Sequence, residues 1–485
     1  MLLKNLLQDI YNQPIDPRFT DFAITDLCDD SRHVKEGALF IAVKGVLSDG
    51  VDYVDKAIEQ GAAVIVVNEI KEDWKKFSDV CFIQVEDTRS FLRLLVERYF
   101  DKPSQNINMI GITGTNGKTT ISYLTESILH EAESSCSIVG TINYRIAERV
   151  LPANNTTPGL IQMQKLLSYI VEEGIENCVM EVSSHALDQG RVDLIDFDVA
   201  VFSNLTSDHL DYHKTRDNYF AAKAKLFTEL SSDAHAIINI DDDHGRKLFS
   251  KTDAKIITYG IHNKADVMAR DVQLDIENTQ FKIAFPDGEI SINSVLVGEY
   301  NVYNMLAAAA ASYVQGINPD KIKKGIEHLK CVPGRLEKIS LGQDYSIFID
   351  YAHTEDALHN VMTAIRNTCD AKIICVFGCG GDRDASKRAK MGQVASTLAD
   401  FTVVTSDNPR SENPQTIINQ IVEGFETESY KTVVNREEGI REALAMAQTG
   451  DVVLIAGKGH EDYQVFKDQT IQFDEKSIIR NYILC

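Results

Sequence analysis

Gly111-Ile112-Thr113-Gly114-Thr115-Asn116-Gly117-Lys118-Thr119-Thr120 is the stretch on which the reading of this chain turns. It begins inside the apolar run Ile110-Gly111-Ile112 and leads into a helical pattern from about Lys118, so its glycines fall where a strand turns into a helix. There, glycines let backbone amides approach phosphate, a lysine supplies a point charge near the β and γ oxygens, and the Thr119 hydroxyl can take a magnesium ion. Gly114, Thr115, Asn116, Gly117, Lys118, Thr119 and Thr120 are therefore the candidate nucleotide-phosphate-binding residues, those of an ATP site if the nucleotide is ATP. A strict Walker pattern would place glycine at 112, where isoleucine stands; the competing reading is a glycine turn that binds nothing. A phosphate loop alone does not separate a ligase from a switch GTPase or a mechanical ATPase, because all three need the same cradle.

Outward from this loop the chain alternates strand and helix. Apolar strands are expected near residues 178–182, 199–203 and 236–240, and an alanine-rich helix at 304–313. Such alternation implies a largely parallel sheet covered on both faces. Upstream, residues 38–43 and 62–67 are short β-rich runs of a small α/β domain, closed by the polar segment Asp101-Lys102-Pro103-Ser104-Gln105-Asn106. Downstream, Cys331-Val332-Pro333-Gly334-Arg335 breaks both periodicities, and strands resume at 346–349, 372–377, 401–405 and 452–456 in the manner of a doubly wound, Rossmann-like fold. The expected division is 1–106, 107–332 and 333–485, an α/β chain of three domains.

Bulk properties narrow the function classes. Of 485 residues, 44% are hydrophobic and 25% charged, the balance of a globular protein rather than a disordered or membrane one. Met1-Leu2-Leu3-Lys4-Asn5 turns polar too early for a signal peptide, and no run is long enough to span a bilayer, so a cytoplasmic protein is expected. A formal charge of −23 opposes nucleic acid as a partner and leaves anionic ligands to local cations, backbone amides or metal. The nine cysteines lack paired zinc spacing, and their odd number argues for reduced thiols over a disulfide framework.

Two further clusters lie at expected strand ends. Met180-Glu181-Val182-Ser183-Ser184-His185 puts a carboxylate where it can project toward a metal at the edge of the sheet, which makes Glu181 a candidate magnesium ligand; the alternative is a capping or surface glutamate. Ser203-Asn204-Leu205-Thr206-Ser207-Asp208-His209-Leu210-Asp211-Tyr212-His213 is dense in metal-capable and hydrogen-bonding groups and reads as a wall of the site.

With these residues in view, the chain resembles the Mur ligases over essentially its whole length. The marks are Asp30-Ser31-Arg32 with Gly37-Ala38-Leu39-Phe40, the phosphate loop, Asn155-Thr156-Thr157-Pro158, Glu181 to His185, Gly298-Glu299-Tyr300-Asn301, Asp350-Tyr351-Ala352-His353, Gly380-Gly381-Asp382-Arg383-Asp384 and Asp407-Asn408-Pro409-Arg410. The resemblance implies a ligase that adds meso-2,6-diaminopimelate to UDP-N-acetylmuramoyl-L-alanyl-D-glutamate through an acyl phosphate, using ATP and Mg2+; a monomer without membrane insertion is the default expectation. It implies that Lys223, which by chemistry alone would be a solvated helix lysine, is carbamylated, and that Thr119, Glu181, His209 and this carbamate hold magnesium. Lys118, Glu181, His209 and Lys223 then form the catalytic set. By the same resemblance Asn301, Arg335 and Asp350 meet ATP, while Ser31, Thr156, Thr157, Ser183, Gln189 and Arg191 meet the UDP-muramoyl peptide. Arg383, Asp407, Asn408, Arg410, Gly457 and Glu461 match positions around the diamino acid.

A guanidinium at 410 suits the second carboxylate of diaminopimelate, which lysine lacks. The sister reaction with L-lysine is the nearest rival, followed by a folate polyglutamate ligase and a phosphate-loop ATPase without ligase chemistry. Glu355 and Ala389 stand where the family usually has proline, and so bear on loop rigidity beside the site.

Overall fold

The computed structural model describes residues 1–45, 48–206 and 208–484. The chain divides into two compact units, and neither is continuous in sequence.

The N-terminal unit comprises Met1–Met109, Thr157–Glu176 and Ala186–Asp196. Its sheet has four parallel strands in the order Leu27–Cys28, Leu39–Ile41, Val64–Val67 and Cys81–Gln84. Alternation along these strands splits the core in two. Leu39, Ile41, Val64 and Val66 pack with Leu3, Leu6, Leu95 and, from the later segments, Leu160 and Ile161. Phe40, Ile65 and Val67 face Trp74 and Ala57 instead. The helix Thr88–Phe100 is capped by Asp87, whose carboxylate accepts from the amides of Arg89 and Ser90. The polar segment after it is a 3-10 turn, Pro103–Asn106, with Pro103 and Ser104 buried.

The second unit holds an eleven-stranded sheet and a six-stranded one. In the larger, the strands Lys255–Gly260, His235–Asn239, Val199–Phe202 and Asn108–Thr113 pair in parallel, as do Asn177–Glu181 and Cys136–Val139. The expected parallel sheet is thus the middle of a wider mixed one. The antiparallel runs Val267–Leu274, Thr279–Phe285 and Gly288–Ser294 extend one end, and Asn143–Ile146 with Arg149–Pro152 extends the other. Thr279–Phe285 and Gly288–Ser294 alternate buried and more exposed positions, as half-solvated antiparallel strands do. The phosphate-loop helix Lys118–Glu131 buries Ile121, Leu124 and Ile128, and each such side chain contributes about 1.5–3 kcal/mol. It packs beside Glu299–Tyr313, a helix that starts five residues earlier than the alanine-rich run suggests.

In the six-stranded sheet the order is Glu337–Ile339, Ser346–Asp350, Val452–Ala456, Ile373–Phe377, Phe401–Thr405 and Tyr430–Val433; only the first pair is antiparallel. Helices Glu355–Arg366, Lys387–Leu398 and Pro414–Val422 cover one face through Leu358, Met391 and Ile421. Arg436–Met446 and Glu475–Ile483 cover the other through Ile440 and Ile479. This is the doubly wound arrangement expected from the alternation. The eight described cysteines are all free, five of them buried. Among the described residues no helix is long and apolar enough to cross a membrane.

Candidate active site

The phosphate loop follows the strand Asn108–Thr113 and is braced from the next strand's end. Thr115 N donates to Asn204 O at 2.9 Å, Asn116 N to Asn204 Oδ1 at 3.0 Å, and Ser203 Oγ to Asn116 O at 2.6 Å. Two glycines are obligatory for steric reasons. A Cβ at Gly114 (φ +148°) would collide with Ser203 Oγ, and one at Gly117 (φ +91°) would collide with Asn304 Oδ1. Asn304 was not singled out in the sequence; its amide donates to Asn301 Oδ1, and Asn301 in turn donates to Val297 O, so Asn301 reaches the loop through Asn304. Ser207 lies outside the described residues.

Two lysines share one acceptor. Lys118 Nζ donates to the carbonyls of Gly114 and Thr115, both at 2.9 Å, and Lys223 Nζ to the same Gly114 carbonyl at 2.8 Å. Lys223 is 2% exposed, so the solvated helix lysine that its chemistry alone suggests is not what the fold makes of it. Burial lowers the pKa of both amines, and Lys118 lowers that of Lys223 further. A buried amine held toward its neutral form is the nucleophile that carbon dioxide requires.

Glu181 ends its strand fully buried. Its carboxylate accepts from Thr119 Oγ1 at 3.0 Å, Thr141 Oγ1 at 2.8 Å and Thr141 N at 2.9 Å, and Thr156 Oγ1 lies 3.1 Å from Thr141 Oγ1. His209 sits in the left-handed region (φ +54°) with Asp208 Oδ2 at 3.5 Å. Partial burial, against Asp208 and helped by His185, Lys118 and Lys223, brings its pKa down to about 4, so its ring is neutral and able to ligate at pH 7. His213, next to these residues, is buried with its Nε2 3.0 Å from Ser184 Oγ. Among the described residues no three His, Cys, Asp or Glu side chains come together as a metal site. The hydroxyl and carboxylate oxygens of Thr119 and Glu181 are nonetheless the hard donors that magnesium prefers, with further oxygens needed from carbamate and phosphate.

From the C-terminal sheet, Arg335 Nη2 donates to Thr119 Oγ1 at 3.2 Å, with its guanidinium 4.7 Å from the Tyr351 ring centroid. Asp350 accepts from the amides of Leu336 at 2.6 Å and Ala352 at 2.8 Å, which fixes the turn that carries Arg335, and burial pushes its pKa up to about 6. Asp356 was not anticipated. Its Oδ2 accepts from Asn116 Nδ2 at 2.8 Å and Thr206 Oγ1 at 2.9 Å, so the first turn of Glu355–Arg366 is tied to the phosphate loop; in sequence it reads as an ordinary acid at a helix start.

The loop after Phe401–Thr405 carries Asp407 to Arg410. Arg410 is left-handed (φ +52°), donates its amide to Val465 O at 3.0 Å and Nη1 to Gly381 O at 2.7 Å. A Cβ at Gly380 would meet Arg410 Nη1 at 2.9 Å and Arg383 Cγ at 4.0 Å, so both side chains pass close to this glycine. Buried Arg388, another residue unnoticed in the sequence, clamps that stretch by donating to Gly380 O at 3.2 Å and to Glu412 at 2.8 and 2.9 Å. Asn408 turns inward, donating to Glu461 Oε2 at 2.9 Å, and Gly457 N donates to Asp350 O at 3.0 Å.

In the N-terminal unit Arg191 donates Nη1 to Thr157 O at 3.0 Å and Nε and Nη2 to Gln189 Oε1 at 3.0 and 2.6 Å; Ser31 is buried in a 3-10 turn capped by Asp30. Thr156 and Ser183 belong to the other unit. A cavity of 430 Å³ in the N-terminal unit is lined by residues including Lys44, Asp49, Asn68, Thr88 and Arg89. Arg89 donates to Lys44 O at 2.9 Å and Gln189 O at 3.4 Å.

Three family descriptions match in order: "Mur ligase family, catalytic domain" at residues 24–100, "Mur ligase middle domain" at 112–312 and "Mur ligase, glutamate ligase domain" at 334–459. The chain belongs to the Mur ligase family. It is 42% identical over 485 residues (100% of this chain, 99% of the relative) to UDP-N-acetylmuramoyl-L-alanyl-D-glutamate–2,6-diaminopimelate ligase 1 of Clostridium acetobutylicum. It is 43% identical over 490 residues (100% and 99%) to the ligase of the same description from Bacillus licheniformis. A solved structure of a UDP-N-acetylmuramoyl-L-alanyl-D-glutamate–2,6-diaminopimelate ligase superposes with a TM-score of 0.69 at 31% identity, over 98% of each chain.

Proposed function

We propose that the chain is an ATP-dependent ligase that joins meso-2,6-diaminopimelate to UDP-N-acetylmuramoyl-L-alanyl-D-glutamate in peptidoglycan precursor synthesis. The observation that carries this reading is the C-terminal loop pair. Arg410 and Arg383 flank one glycine, while Glu461 is held by Asn408 from the same loop as Arg410. Cation and anion together suit an amino-acid end, whose carboxylate takes a guanidinium fork and whose ammonium takes a carboxylate. Full-length identity of 42–43% to ligases of that description supports the same substrates.

The reaction transfers the γ-phosphoryl of ATP to the terminal carboxylate of the UDP-linked dipeptide, giving ADP and an acyl phosphate. An amine of the diamino acid attacks the acyl carbon, the amide bond forms and phosphate leaves. Lys118 and the amides of the loop offset charge on the transferring group, and Arg335 stands beside Thr119 to do the same from the other sheet. A magnesium ion, held by Thr119, Glu181, His209 and a carbamate on Lys223, would neutralise and align the reacting anions. Asn301 and Asp350 support the ATP side, one through Asn304 and the other through the turn at Arg335. Ser31 serves the uridine end, and Thr156, Thr157, Ser183, Gln189 and Arg191 serve the muramoyl-peptide and pyrophosphate regions. The protein acts as a cytoplasmic monomer.

The test is ADP release from purified protein with magnesium, ATP and UDP-N-acetylmuramoyl-L-alanyl-D-glutamate, comparing meso-diaminopimelate with L-lysine. Strong preference for meso-diaminopimelate is expected. Preference for lysine would discard the assignment of Arg410, and release indifferent to any amine would reduce the protein to an ATPase.

A further inference from the structure

The strand Val452–Ala456 runs into Gly457 and Lys458, and Lys458 is 0% exposed. A lysine is almost never so buried unless its charge is paired. Its ammonium serves neither the phosphate loop nor the Arg335 turn. Nζ donates to Asn408 Oδ1 at 3.1 Å and to Glu461 Oε2 at 3.2 Å, and lies 5.4 Å from the Tyr463 ring centroid. Asn408 Oδ1 also accepts from Val465 N at 3.0 Å, and buried Gln464 donates to Asp407 O at 2.6 Å. The loop after Phe401–Thr405, the turn after Val452–Ala456 and the hairpin strand Tyr463–Val465 therefore converge on one ammonium.

Beside it, Arg436 Nε donates to Glu475 Oε1 at 2.7 Å and Arg410 Nη1 donates to Asn408 O at 3.4 Å, so Lys458 is one of three cations set among Glu475, Asp407 and Glu461. Lys458 and Asn408 both hold Oε2 of Glu461, whereas among the described residues Oε1 is hydrogen-bonded only by the Tyr351 hydroxyl, at 3.4 Å.

We infer that Lys458 is a positioning residue for the added amino acid. It locks the Asn408–Glu461 pair so that Glu461 offers its second oxygen to the substrate's ammonium while the Asp407–Arg410 loop stays in register for the carboxylate. This rests on the ligase reading above. The full chain carrying Lys458→Met is assayed by ADP release with each of the three substrates varied in turn. The expected result is a KM for meso-diaminopimelate raised about 30-fold, with KM for ATP and for the UDP-dipeptide within about twofold. Lys458→Gln, which keeps an N–H donor, should recover part of the loss. If Lys458→Met does not fold, Lys458→Gln decides the matter by a smaller rise in the same KM alone. Equal changes in all three KM values, or a lowered melting temperature with all three unchanged, would overturn the inference. Failure of the ligase reading shows earlier, as no amine-dependent ADP release from the unsubstituted protein, and would remove both.

Discussion

Arg410→Gly separates what the guanidinium does from what the backbone does. Arg410 sits at φ +52°, a conformation that costs a non-glycine residue about 1 kcal/mol and glycine almost nothing. Glycine also frees the unfolded chain, at a cost of about 0.5–1 kcal/mol, so the two effects nearly cancel and stability should change by less than about 0.5 kcal/mol. The amide bond to Val465 O does not depend on the side chain and should persist. What disappears is a half-buried guanidinium braced on Gly381 O. Loss of one charge-assisted pair to a ligand carboxylate at such a site costs about 2–3 kcal/mol, which is about 30- to 150-fold in kcat/KM. The loss should fall on meso-diaminopimelate alone, because L-lysine has no second carboxylate to lose. Steady-state ADP release with both amino acids, alongside a melting curve, reads all three quantities. Equal loss on both substrates at an unchanged melting temperature would refute the role given to Arg410.

Other outcomes follow from the geometry. Lys223→Ala should lower turnover at least about 100-fold while ATP affinity, by calorimetry with a non-hydrolysable analogue, stays within about threefold; full activity would take Lys223 out of the site. Arg436→Met leaves Glu475 buried without its cation and should destabilise the C-terminal sheet by about 3–5 kcal/mol in urea unfolding, whereas Arg436→Met with Glu475→Leu recovers most of it. No recovery would mean that the carbonyls of Ser406 and Ala456, also bonded to Arg436, matter more than the charge. Burial alone would raise the pKa of Asp241, but amide bonds from His262, Ile261 and Asn263 and the Asn263 side chain bring it from 3.8 down to about 2. A depressed carboxylate stabilises the fold above its unfolded pKa and ceases to as pH falls through the folded one, so this contribution fades between 3.8 and about 2. The stability gap between the natural chain and Asp241→Asn should therefore narrow by about 1 kcal/mol, screening allowed for, when melting is followed from about pH 5 to about pH 2.5.

Residues whose role depends on local pattern were legible, and those whose role depends on a distant neighbour were not. The phosphate loop announces itself because glycines, lysine and threonine are spaced by the turn they build, and Glu181 because a carboxylate closes an apolar strand. Lys223 shows the limit. Its helix, Arg216–Thr228, has little amphipathic pattern, and only the packing around Gly114 reveals that its ammonium is inside; the family resemblance, not the residue, pointed there. Asn304, Asp356, Arg388 and Lys458 each also meet a loop far away in sequence, and although residues close to each were singled out, nothing in the local pattern says that these particular side chains make the contact. The outer strands Thr279–Phe285 and Gly288–Ser294 escaped the alternation argument because each exposes one polar face and they follow one another as a hairpin, with no helix between them.

The N-terminal unit draws Leu160, Ile161 and Leu194 from segments encoded after the phosphate-loop helix. During synthesis its core therefore cannot close when residue 109 leaves the ribosome. It waits for Asp196, about 90 residues later, which is roughly 5–20 s at ordinary elongation rates. Through that interval the apolar faces of Phe91, Leu92 and Leu95 lack part of their cover, while the strand and helix of the nucleotide loop emerge. Order of emergence, rather than order of domains along the gene, sets when the first unit is safe from aggregation.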